Sequence, residues 1–445
     1  MRARLSILYL LHFAIWGAYL TSLGQFLGRG GLGGDIAWFY AAVGLVSVLT
    51  PSLFGMLSDR MLRPDRLLSL CYLLSSAAML GLWRYGSLHP QLEFFPTFGL
   101  YILFLSFYLP CMALANVITF REIESSGKSI ADIFPGIRIW GTVGFILAMW
   151  FVNSAYWHEG QLAFTFSDAS SFSRMRFQYN SMQLLCSGLL ALGAFVYSFF
   201  LPSASSERGS VNSNSARPPF SEIFRSVISR REMTVFLLFV ALTGACMQIS
   251  NGFVTPYITH YSGLPAYSDS FASSNATLLF SLSQISEALC VLLVGVCLRR
   301  LGFSRVYALG LLAWSLRFLA LGFGNPGDGL WMLVGSMLVY GVAFNFITIA
   351  GHMHIQSIAP ARVKGLAQGL MMLMSNGIGA TVGTLCAGSI VNHWCQWQMA
   401  GTPPVRLFMG EWQTPWLIFA LYALTILLLW VTYTLTQKSF HPPHR

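Results

Sequence analysis

Ser203-Ala-Ser-Ser-Glu-Arg-Gly-Ser-Val-Asn-Ser-Asn-Ser-Ala-Arg-Pro-Pro219 lies near the middle of a 445-residue chain, within a longer polar interval from Pro202 to Glu232. Serine, asparagine, glycine and proline without apolar periodicity make a flexible linker that cannot bury a core. Its end, Phe220–Ser229, reads as a short surface helix. The flanking chain is of another kind. Hydrophobic residues make up 55% of the protein and charged residues 9%, against about 25% charged in ordinary soluble domains. Mean hydropathy is +0.62. A hydrocarbon core of about 30 Å takes roughly 20 apolar residues as helix. Runs of that kind fall at 5–27, 35–57, 67–86, 94–120, 135–155 and 179–201 before the linker, and at 233–260, 275–299, 303–323, 329–356, 363–392 and 413–436 after it. The expected fold is all-α and integral to a membrane, with twelve transmembrane helices. Its domains are an N-terminal half (1–201), a cytoplasmic linker (202–232) and a C-terminal half (233–445).

The first run follows Arg2 and Arg4, as a signal peptide's apolar core does. It exceeds the usual 7–15 residues and ends in no small-residue cleavage site, so it reads as a retained helix. Eight cysteines sit in or at the ends of the runs without CxxC spacing, as packing residues rather than metal ligands or disulfide partners. The net charge of +10 raises the question of nucleic acid, and its distribution answers it. With the amino terminus placed in the cytoplasm, 19 of the 26 Lys and Arg fall on cytoplasmic segments and five on the other side, with Arg138 and Arg317 inside runs. This is the positive-inside bias of a multi-pass membrane protein with both termini cytoplasmic, and no nucleic acid is needed to explain it.

Two six-helix halves around a cytoplasmic linker resemble the layout of the major facilitator superfamily, whose halves are repeats. An internal echo agrees. Gly55-Met-Leu-Ser-Asp59-Arg60 follows the second run, and Gly295-Val-Cys-Leu-Arg299-Arg300 follows the eighth, 240 positions on. The first copy resembles that superfamily's cytoplasmic G-x-x-x-D-R/K signature, which makes Gly55, Asp59 and Arg60 a candidate conformational latch. The second has Arg299 where the acid would stand. Gly365/Gly369 and Gly379/Gly383 are small-xxx-small pairs suited to close helix packing. Pro51, Pro110 and Pro256 inside runs suggest kinks.

Of sixteen Asp and Glu residues, only Glu287 falls in the middle of a long apolar run. An ionisable group at that depth costs about 3 kcal/mol on insertion scales, and its default reading is functional. Other polar residues share helix faces. Arg138, Thr142 and Phe145 are spaced i, i+4, i+7, with Pro135 read as a first-turn proline. Gln248/Asn251, Gln284/Glu287 and Asn345/Thr348 are each i, i+3, and Phe344 adjoins the last pair. Polar glue between helices explains any one pair. Four such faces, one with an arginine and one with the lone carboxylate, favour a solvated central cavity. Amides read sugar hydroxyls and base edges, and Phe145 and Phe344 offer rings to stack on. Arg317 reads as a packing residue, and His352 and His354 as surface-facing.

Phe134-Pro-Gly-Ile-Arg-Ile-Trp-Gly-Thr-Val-Gly-Phe145, Ser283-Gln-Ile-Ser-Glu-Ala-Leu289 and Ala367-Gln-Gly-Leu-Met-Met-Leu-Met-Ser-Asn-Gly377 resemble the nucleoside:proton symporter family of bacterial nucleoside permeases. The likeness runs over nearly all of the chain. It implies import of nucleosides across the cell inner membrane with protons, by a monomer in the bilayer that needs no cofactor or metal beyond the coupling proton. It carries substrate binding onto Arg138, Thr142, Phe145, Gln248, Asn251, Gln284, Glu287 and Phe344. Where those permeases have an aspartate within Ala-Phe-Asp-Phe, this chain reads Ala343-Phe344-Asn345-Phe346. Asn345 can hydrogen-bond and stays a candidate substrate-binding residue, but it cannot carry a proton, so coupling would rest on Glu287 alone.

Burial and a neighbouring cation act on a carboxyl's proton affinity in opposite senses, so the distance to Arg138 would tune Glu287. An enzyme is not expected, because one buried carboxylate and scattered histidines supply no acid pair, metal set or activated nucleophile. Carriage of another polar solute, such as a sugar or cell-wall glycoconjugate, stays open at this point. So does a ligand sensor that binds without transporting.

Overall fold

A computed structural model of the chain describes residues 1–60, 63–127, 129–166, 175–201, 231–359, 364–401 and 405–440. Linker residues 202–230, with the expected surface helix, lie outside the described residues, while Arg231 and Glu232 already open the helix that follows. Helices dominate because a chain in hydrocarbon must satisfy its backbone groups within each segment. In the first half they are α1 (Arg2–Gly17), α2 (Ile36–Arg60), α3 (Pro64–Leu88), α4 (Phe94–Ser125), α5 (Ile130–Ser154) and α6 (Met182–Ser198). In the second they are α7 (Arg231–His260), α8 (Ala276–Leu301), α9 (Phe303–Phe323), α10 (Leu330–Ile358), α11 and α12 (Gln413–Phe440). α11 has three parts, an α-helical Lys364–Met372, a π-helical Leu373–Gly379 and an α-helical Ala380–Trp394. Among the described residues, nine helices are long and apolar enough to cross a membrane, and the shorter α1, α6 and the apolar start of α2 bring the number to twelve.

The structure departs from the sequence reading in three places. The first run is not one helix. α1 stops at Gly17, residues 18–22 form turns, and a second helix spans Leu23–Arg29. Tyr40 Oη donates to Leu20 O at 2.6 Å, so a neighbouring helix engages a carbonyl of the break. Pro135 is not in a first turn, because α5 begins five residues earlier at Ile130, after Ser129. Two loops are hairpins. Strand β1 (Ala155–His158) pairs antiparallel with β2 (Gln161–Phe164), and β3 (Cys395–Ala400) with β4 (Val405–Gly410). Glu159 and Gly160 join β1 to β2 with φ of 49° and 78°, the twist that two-residue hairpins favour. The hairpins follow α5 and α11, the fifth helix of each half, and Ala155 and Cys395 stand 240 positions apart like the earlier echo.

Glycines set the closest packing. A Cβ on Gly17 would clash with the Phe145 backbone, and one on Gly144 with the Leu10 backbone, so α1 and α5 meet main chain to main chain. Gly379 and Gly383 likewise abut Ala241 and Ala245 of α7. Gly28 and Gly33 leave no room for a Cβ because the Trp397 indole of β3 fills the space. Gly144→Ala should push α1 off α5 at a cost of roughly 1–3 kcal/mol. Thermal unfolding of detergent-purified protein should show a lower midpoint than for Gly136→Ala, whose Cβ would meet nothing within 4 Å. Equal midpoints would refute the packing role.

Polar contacts between the halves lie in the middle of the bundle and at the face opposite the termini. Arg176, fully buried, donates to Asn275 Oδ1 and to Ser274 O, each at 2.6 Å. Tyr179 Oη reaches Ser274 O at 3.1 Å, and Thr277 Oγ1 donates to Gln178 Oε1 at 2.8 Å. Asn153 Nδ2 donates to Asn275 Oδ1 at 2.9 Å, and Trp150 Nε1 to Ser281 Oγ at 2.8 Å. Asn275 precedes the first residue of α8. α5 and α8 are therefore pinned together at the ends remote from the termini.

Candidate functional site

Below that pin, α5 carries Arg138 and α8 carries Glu287, the twelfth residue of a 26-residue helix. Both side chains are half-buried at mid-helix. Their charges act on each other, one from each half. No ion pair within 4.0 Å joins them; among the described residues such pairs are Arg63–Asp65, His158–Glu159 and His354–Glu232. The two therefore interact beyond direct contact, and neither neutralises the other by an ion pair.

Arg138 is held by an aromatic rather than an acid. Its guanidinium lies over the Phe13 ring, 4.0 Å from Cζ to centroid. Cation–π contact of this kind keeps the planar group oriented and leaves its N–H edge free. Gly141, one helical turn on, gives the pair room, since a Cβ there would meet Phe13 and Arg138 Nη1 within 3.0 Å. Thr142, on the same face, is half-buried. Phe145, next on that face, is 6% exposed, its backbone against Gly17. α5 thus presents a cation and a hydroxyl, with its phenyl ring buried.

From the second half, α7 contributes a linked amide pair. Gln248 is 4% exposed; its Nε2 donates to Tyr40 O at 3.3 Å and its Oε1 accepts from Asn251 Nδ2 at 3.1 Å. That orients Asn251, half-buried, with its carbonyl oxygen unengaged. On α8, Gln284 and Glu287 are half-buried. On α10, Phe344 is half-buried and stacks on Tyr340, centroids 5.7 Å apart and planes 13° from parallel. Asn345 faces elsewhere. It is 1% exposed, and its Nδ2 donates to the main-chain oxygen of Glu287 at 2.7 Å. An ionised aspartate here would set an acceptor against an acceptor, whereas asparagine ties α10 to the main chain of α8 at Glu287. Thr348 Oγ1 turns back to Phe344 O at 2.8 Å.

Among the described residues, no protein group hydrogen-bonds the Glu287 carboxylate, the Gln284 amide, the Thr142 hydroxyl or the Arg138 guanidinium. These four half-buried groups, from one helix in each half, are left free to bind something other than the protein. They and Phe344 offer one planar cation, one titratable anion, an amide with donor and acceptor ends, a hydroxyl and a stacking ring. These match a solute with several hydroxyls and a flat heterocycle.

The proposed latch residues Gly55, Asp59 and Arg60 fall in the last two turns of α2, and their side chains lie outside the described residues. Arg299 and Arg300 end α8 exposed. His354 stacks on Phe303 at 3.7 Å, and His352 Nδ1 is 2.6 Å from Gln368 Oε1. Both histidines thus join α10 to its neighbours. The sequence reading missed Phe13 and Tyr340. Tyr340 was findable, one turn before Phe344 on the same face; nothing in the sequence marked Phe13.

Comparison with known proteins bears on the whole chain. A family model described as nucleoside H+ symporter matches residues 1–439. The nucleoside permease NupG of Escherichia coli (strain K12) is 30% identical over 430 residues, which covers 96% of this chain and 94% of NupG. The xanthosine permease of the same organism is 28% identical over 424 residues, covering 95% of this chain and 93% of that protein. Crystal structures of the nucleoside transporter NupG superpose with TM-scores of 0.82, for a single-residue variant at 28% identity, and 0.79 at 27%. The alignments cover 97% of this chain and 99% and 98% of those chains. The expected twelve-helix major facilitator fold is thereby established.

Proposed function

Because the chain belongs to the nucleoside H+ symporter family, and is a membrane transporter rather than an enzyme, we propose that it imports nucleosides across the cell inner membrane together with protons. The observation that carries the reading is the electrostatic interaction of Arg138 with Glu287, one from each half, with hydrogen-bonding groups on their helices left unengaged. Amides and the Thr142 hydroxyl would hold ribose hydroxyls and base edges, and Phe344 would stack on the base. The relatives carry nucleosides, or xanthosine, by their names.

In the mechanism, a proton on Glu287 removes the only carboxylate at the site and so the field that draws Arg138 toward it. Solute then occupies the space between them. Rocking of 1–201 against 233–445, with the linker on the cytoplasmic side and both termini cytoplasmic, exposes the site to each side in turn. The contacts of Arg176 and Trp150 then close the outer face. In the inward-facing state Glu287 releases its proton and solute leaves. Asp59 and Arg60, at the cytoplasmic end of α2, are proposed to latch the opposite state.

Proteoliposomes with an imposed pH gradient test this. Labelled uridine should accumulate above its outside concentration when the outside is acidic, and a protonophore should abolish the excess. Unlabelled nucleosides should compete and sugars should not. Competition by sugars alone would move the assignment to another polar solute. Saturable binding without accumulation would make the protein a sensor.

A further inference from the structure

Arg317 of α9 is fully buried, the largest polar side chain in the second half to be so. A guanidinium in such a place would ordinarily be paired with a carboxylate, because an isolated buried charge is costly. Here the partners within reach are neutral. Nη1 donates to Ser336 O of α10 at 2.6 Å and to Ser283 Oγ of α8 at 3.3 Å. Nη2 donates to Ser250 Oγ of α7 at 2.8 Å. The Tyr340 ring of α10 lies 4.7 Å from Cζ. One planar group thus touches three helices at once.

Those three helices carry the candidate site residues of the second half. Apart from Ser336, two turns before Phe344, each contact falls within one turn of a site residue. Ser250 precedes Asn251. Ser283 precedes Gln284 and is one turn before Glu287. Tyr340 stacks on Phe344 and interacts electrostatically with both Glu287 and Arg317. The fork of the guanidinium fixes the angles between its bonds, so the relative placement of α7, α8 and α10 is fixed with them. If Arg317 only filled space, a Leu or Met would fill it without burying a charge.

We propose that Arg317 is a positioning residue for solute binding, one that holds Asn251, Gln284, Glu287 and Phe344 in register by clamping the three helices that carry them. The proposal rests on the transport reading above. Its effect reaches solute through Ser250, Ser283 and Tyr340, so it governs how tightly the site holds solute rather than how fast the halves rock.

Uridine uptake into proteoliposomes, normalised to folded carrier, tests it with three variants. Arg317→Met removes the charge along with the clamp, and should raise the apparent KM about tenfold or more with Vmax within about threefold. Arg317→Lys, which keeps a charge and can hold two of the three partners, should recover KM to within about threefold of wild type. Ser250→Ala/Ser283→Ala leaves the arginine but removes two anchors, and should raise KM by about threefold or more; it decides the matter if Arg317→Met does not fold. Unchanged KM in the serine pair and in Arg317→Met, with only the yield of folded protein reduced, would overturn the clamp while leaving transport intact. Absence of uridine uptake by the wild type would instead overturn the transport reading, and the clamp with it.

Discussion

Glu287→Gln is expected to abolish concentrative uptake while leaving exchange of labelled for unlabelled solute across the membrane. The amide has nearly the shape of a protonated carboxyl, so solute can still bind and the halves can still rock. It cannot release a proton, so the gradient has no handle on the cycle. A one-unit pH gradient stores about 1.4 kcal/mol per proton, which supports roughly tenfold accumulation at one proton per solute. In the variant the ratio of inside to outside solute should fall to about one at any gradient, because nothing links proton flow to solute flow. No other group at the site can substitute. Asn345 is neutral and engaged with the Glu287 main-chain oxygen, and an arginine such as Arg138 does not give up its proton in proteins. Wild-type accumulation by the variant would remove Glu287 from the coupling role.

Arg176→Ala is expected to release the face opposite the termini. The wild-type side chain makes two 2.6 Å bonds to Ser274 and Asn275 across the halves. Loss of a hydrogen bond from a charged group typically costs about 1.5–3 kcal/mol, and two are lost together. Here the loss falls on one conformation, because the bonds join the halves only where that face is shut. A differential of about 3 kcal/mol changes the ratio of closed to open by roughly a hundredfold. A single cysteine in place of Ser281, which is buried beneath the pin and bonded to Trp150, reports the change in a background freed of native cysteines. A membrane-impermeant maleimide should label it at least about tenfold faster in the Arg176→Ala protein, in line with that population shift. A rate changed less than twofold would place the seal elsewhere.

Much of this architecture was legible in the sequence because lipid imposes a length on every crossing and a polar linker cannot hide in lipid. The same rule is blind to what costs lipid nothing. Neither a charge nor a proline marks residues 18–22, so the break after α1 could not be seen. The short hairpins lie outside the membrane runs, where hydropathy carries no signal. Helical spacing groups Arg138 with Thr142 and Gln284 with Glu287, since 3.6 residues per turn decides which side chains share a face. It does not decide whether a face meets an opening or a neighbouring helix, and so Phe145, Gln248 and Asn345 look alike in sequence and differ in the fold. Counting Arg176 among loop charges gave it a side of the membrane and no partner. Its role depends on Asn275, nearly a hundred residues away, and no local pattern joins the two.

The indole of Trp397 belongs to the second half and is wedged against Gly28 and Gly33 of the first, stacked on Phe408 of its own hairpin at 5.1 Å. Separation of the halves at this face would draw that ring from an apolar socket into water. An indole so moved shifts its emission to the red, and the chain has thirteen tryptophans against which a Trp397→Phe difference spectrum isolates the one. The carrier therefore holds an optical reporter of its own turnover, with no dye required.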